Sequence, residues 1–80
     1  MKRPRLKAIR DVVRAVDDEA TVSTRGVGPD EFVVRVPYAA PNKVVNAVTT
    51  RWPGVELVWK DVEGGRWDWV SVLHFTVEEG

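Results

Sequence analysis

His74 is the single histidine of an 80-residue chain that has no cysteine. It is therefore the only side chain whose unperturbed pKa lies near neutrality. As a general base it would need a carboxylate partner and a cleft. Glu56 can approach it across a hairpin, but a flat sheet face offers no cleft, so His74 reads as a half-exposed strand residue. Ser23 and Ser71 stand outside any glycine-flanked nucleophile elbow. Asp17-Asp18-Glu19 concentrates carboxylates, yet successive residues at a helix end point in different directions and no alternating oxygen-ligand loop follows. The trio reads as a solvated helix terminus. Gly26-x-Gly28-Pro29 is too short to cradle a phosphate and precedes a strand, so it reads as a turn. The expectation is a non-enzymatic chain with no catalytic residue, cofactor or metal.

The charges carry more. Formal neutrality conceals a dipolar chain: residues 1–16 hold six basic side chains and one acid, residues 17–80 six basic and eleven acidic. Bases gather at the N-terminal end of the first helix and acids at its C-terminal end, opposite to what the macrodipole favours. A local rule broken in this way can mark function. Lys2, Arg3, Arg5, Lys7, Arg10 and Arg14 are the candidate phosphate contacts, with residues 1–4 as a flexible basic arm. Nucleic acid is thus the alternative partner.

These residues must be positioned by few elements. The length fits one domain over residues 1–80, near the lower limit for a core without staples. Seventeen valines and four tryptophans supply the apolar volume. The basic N-terminus lacks a following apolar run and no segment is long enough to span a membrane, so a cytoplasmic setting is expected. The lack of Cys and Gln leans towards a thermophilic source. Leu6, Ile9, Val12, Val13 and Val16 recur at helical spacing and predict a helix over 4–19. Alternation predicts strands over 20–25 and 31–38, the second with Phe32, Val34, Val36 and Tyr38 on one face. Pro41 opens a second helix that Pro53-Gly54 stops. Strands over 55–62 and 66–77 then form a hairpin.

Loop parity decides which hairpin residues share a face. A three-residue Glu63-Gly64-Gly65 loop pairs Val62 with Arg66, Lys60 with Asp68 and Trp59 with Trp69. It gathers the tryptophans on one face and avoids placing Asp61 opposite Asp68. Trp59 and Trp69 are then expected as buried neighbours. Val33, Val58, Val62, Val70 and Val72 fall on the other face.

The order α-β-β-α-β-β, with a right-handed crossover that leaves room for the last strand, gives an α+β fold. It has a four-stranded, mainly antiparallel sheet, strand order 3-4-2-1, with both helices on the tryptophan face. This resembles a ferredoxin-like fold circularly permuted so that its first strand comes last. Architecture alone implies no function. The five outward valines suggest a contact surface. The leading expectation is a protein-interaction domain, homodimeric through Val33, Arg35, Val58, Lys60, Val70 and Val72.

Overall fold

A computed structural model describes residues 4–64 and 69–77. The elements are α1 (Leu6–Val16), β1 (Thr21–Ser23), β2 (Glu31–Val36), α2 (Pro41–Arg51), β3 (Val55–Glu63) and β4 (Val70–Val77). They build one four-stranded antiparallel sheet in the order β1-β2-β4-β3, the order expected from the crossover rule. Phe32, Val34 and Val36 of β2 share a face with Leu73 and Phe75 of β4, and Ile9, Val13, Val44 and Val48 of the two helices pack on that face. Both helices therefore cover one side of the sheet and leave the other uncovered.

The centre of this layer is aromatic. Phe32 and Phe75 are direct cross-strand partners, with ring centroids 5.1 Å apart and planes 13° from parallel. Both are fully buried. Such a pair is worth about 0.5–1.5 kcal/mol beyond its buried area.

Asp17 ties the helices to the sheet. It ends α1 by leaving helical geometry, while its N–H still donates to the Val13 carbonyl at 3.0 Å. Its carboxylate turns inward: Oδ2 accepts the N–H groups of Tyr38 (2.8 Å) and Ala39 (2.9 Å), and Oδ1 accepts that of Glu19 (3.0 Å). Only 5% of the residue is exposed. The expectation of a solvated terminus thus holds for Asp18 and Glu19, which are exposed, and fails for Asp17. The same bonds explain why β2 stops at Val36 instead of reaching Tyr38. Pro37 has no N–H, and the next two are taken by Asp17, so Tyr38 leaves the ladder and stands 81% exposed.

The hairpin departs furthest from expectation. Glu63 pairs with Val70 and Val62 with Ser71, which is not the register that a three-residue Glu63-Gly64-Gly65 loop requires. Arg66, Trp67 and Asp68 lie outside the described residues. A register shift between Leu57 and Trp59 makes Val58 a bulge. Before it, Val55 and Leu57 face Val77 and Phe75 on the helix side; after it, Trp59 lies opposite His74 and Lys60 opposite Leu73. Opposed residues share a face, so the bulge turns Trp59, Asp61 and Glu63 outward and brings Lys60 and Val62 to the helix side. Trp59 and Trp69 are therefore not a buried pair: they are 52% and 64% exposed. The physical reason is the bulge, which inverts β3 beyond Leu57, together with the end of the helix cover, which leaves Lys60 and Val62 exposed on the helix side as well.

Asp17 gives this fold a pH signature. Burial pushes its carboxyl up, but the N–H groups of Ala39, Tyr38 and Glu19 outweigh that and hold it below the ordinary 3.8. A depressed folded-state pKa contributes stability that is complete above the unfolded value and is lost as pH falls through the folded one. Melting temperature should hold from neutrality down to about pH 4 and then decline, and the Asp17 share of that decline should vanish in Asp17→Asn. Asp17→Ala, which strands three donors, is expected to cost about 2–4 kcal/mol at neutral pH in urea unfolding.

Candidate interaction surface

The uncovered side of the sheet is read directly from the register. Thr21 and Ser23 of β1, Glu31, Val33 and Arg35 of β2, Val70, Val72, His74 and Thr76 of β4, and Glu56, Trp59, Asp61 and Glu63 of β3 lie on it. Its valines do not form the open patch that alternation suggested. Val72 is 2% exposed, and Val33 is also buried. Arg35 and Glu63 belong to strands on either side of β4 and meet at 3.6 Å, so their ion pair passes over the Val70–Val72 stretch. That pair is well exposed and worth at most about 1 kcal/mol. Its role is to cover apolar surface with the stems of two long side chains. His74 lies between Val33 and Trp59, with the indole 4.4 Å from its ring. Val58, expected on this face, sits at the bulge and is exposed; Lys60 and Val62, also expected here, face the helix side.

The exposed apolar surface gathers instead on β3 and at the entry to β4. Val58, Trp59, Val62 and Trp69 are all more than half exposed. The cause is incomplete cover. α2 carries the chain from the end of β2 to the start of β3, and it shields Val55 and half-shields Leu57. Further along, Lys60 and Val62 are exposed on that same side. The gap between α2 and the strand is a cavity of about 280 Å³ lined by Pro41, Lys60, Asp61, Val62, Ser71 and Leu73. A second, wide depression lies between the helices, lined by Val12, Ala15, Val16, Asn46, Ala47, Thr50 and Arg51.

Neither depression includes His74. Among the described residues, no group of three or more His, Asp or Glu side chains comes together in a way that could hold a metal ion. No helix of the described residues is long and apolar enough to cross a membrane.

The basic candidates divide. Lys2 and Arg3 lie outside the described residues. Lys7, Arg10 and Arg14, three and four residues apart, line one side of α1, and Arg5 caps the helix without a side-chain bond. Lys7 and Arg14 are exposed and Arg10 is half-buried, while the Arg14 Nε donates to the Ala20 carbonyl at 3.3 Å. The uncovered sheet face, with Glu31, Glu56, Asp61 and Glu63 against Arg35, is acidic, so the basic side of α1 has no continuation there.

Sequence reasoning missed the cavity beside Pro41, Val62 and Ser71 altogether. The one signal for it was the run Leu57-Val58-Trp59, three apolar residues where strict alternation allows two. No protein-family model matches the chain, and no curated protein or solved structure matches it either.

The aromatic residues now separate into two energetic classes. Phe75→Ala should cost about 3–5 kcal/mol in urea unfolding, since it opens the centre of the core. Trp59→Ala should cost no more than about 1.5 kcal/mol, the scale of its contact with the His74 ring. Equal costs for the two would mean that Trp59 is a core residue.

Proposed function

We propose that this chain is a small, cytoplasmic, non-enzymatic interaction domain that pairs with a second copy of itself through the uncovered half of β3. The observation that carries this is the concentration of exposed apolar side chains there. Trp59 and Trp69 together leave roughly 300 Å² of aromatic surface in water. Val58 at the bulge and Val62 on the helix side add to this, so the apolar surface at the β3 border lies on both of its faces and reaches the size at which monomers usually carry a contact site. The proposed interface has thus moved from the centre of the sheet to its β3 border, because Val33 and Val72 are closed within the monomer. Arg35 and Val70 become its neighbours on the uncovered face, and Lys60 its polar margin.

A second reading has one observation in its favour: Lys7, Arg10 and Arg14 share a side of α1 away from the acidic sheet face. On that reading the chain contacts nucleic-acid phosphates, and affinity falls steeply with salt. Absence of DNA and RNA binding at about 50 mM salt would remove it.

Light scattering over a dilution series checks the first reading. The native mass should rise from monomer to dimer with concentration. Trp59→Glu adds a charge to an already acidic border and should abolish the dimer, since an unpaired charge in a packed interface costs several kcal/mol. Its melting temperature at low concentration should fall no further than that of Trp59→Ala, which loses the same contact with the His74 ring. A monomer at every concentration, or an undiminished dimer in Trp59→Glu, would overturn the reading.

A further inference from the structure

The bulge at Val58 has a specific steric result. A regular β3 would carry the alternation of Val55 and Leu57 onward to Trp59 and place that indole on the helix side. The shift sends Trp59 to the uncovered face and gives the helix side Lys60 and Val62 instead. None of the described residues that line the corner beside Pro41 is aromatic, and about 280 Å³ stands open there. That volume falls just below the ~300–1,000 Å³ range of small-molecule sites, which suits one aromatic side chain better than a substrate.

The walls of the corner match an indole in kind as well as in size. Pro41, Val62 and Leu73 offer apolar contact. The Ser71 hydroxyl and the Asp61 carboxylate are acceptors for an indole N–H, which donates only. The Lys60 ammonium is a cation for the ring face. An indole without cover stands on the same border: Trp69, 64% exposed, one residue before β4 begins.

Resting on the self-association proposed above, we infer that Trp69 of a second copy seats in this corner, and that the exchange is reciprocal. Trp69 stands two residues before Ser71 of the socket, so each copy carries knob and socket close together, as an isologous two-fold contact requires, because each copy must give what it receives. The rim is self-complementary in charge too, since Lys60 and Asp61 are adjacent and opposite in sign and can pair across the two-fold.

Sedimentation of three proteins tests this: the parent, Trp69→Ala, and Ser71→Phe, which fills the socket from its floor. Each variant alone should weaken the dimer by at least about tenfold in dissociation constant. An equimolar mixture of the two should associate more tightly than either, because the knob of one still fits the socket of the other. Trp69→Ala removes an exposed side chain and should melt with the parent. Should Ser71→Phe melt early, Val62→Arg blocks the socket from its exposed rim and takes its place. A dimeric parent with undiminished Trp69→Ala and socket variants would overturn the inference while leaving self-association standing. The same holds if the variants weaken the dimer but their mixture recovers nothing. A parent that stays monomeric would overturn both.

Discussion

The stack of Phe32 on Phe75 is the contact on which the rest of this small fold depends. It joins the two central strands at a single register, and the opposing Leu57 extends that register to β3. A slip of one residue between β2 and β4 would carry both rings to the uncovered side and empty the core. The helices contribute four fully buried apolar residues to a layer whose shape these rings already define. Asp17 then fixes where that layer ends by taking the N–H groups that would have lengthened β2. The domain is thus held by one aromatic pair in its middle and one carboxylate at its margin.

Everything distinctive about the surface comes from a single extra residue. Up to Leu57, β3 obeys the core; beyond Val58 it is inverted, and an amphipathic strand becomes one with apolar groups on both sides. This is the usual effect of a bulge, which re-aims side chains without altering strand order. The topology is unchanged by it, and the surface chemistry is entirely changed.

The architecture was legible because its signals are redundant. Ile9 and Val13 sit on a clean helical stripe, Phe32, Val34 and Val36 on a clean alternation, and the crossover rule leaves one gap for β4. The hairpin was not legible, because its faces hang on parity alone. Leu57-Val58-Trp59 offers three apolar residues in a row, so pattern cannot say which one is extra, and a plausible short loop supplied a consistent but incorrect answer. Asp17 was half legible. An acid at a helix C-terminus opposes the macrodipole, and that violation was visible in the sequence. What compensates it lies more than twenty residues away, at the N–H groups of Tyr38 and Ala39, where no local rule reaches.

The two borders of the sheet are unlike, and this limits what the molecule can build. β1 offers three residues of free backbone, too short to template another strand, whereas β3 offers nine. Indefinite growth requires two adhesive ends that differ in position, so that each added unit presents a fresh one. Here one end is blunt. The other bears Glu56, Lys60, Asp61, Glu63 and a bulge, features that discourage plain strand-on-strand stacking. A chain so rich in valine is an obvious candidate to form fibres, yet neither border of its sheet is a long, flat, uncharged edge of the kind that strand stacking needs.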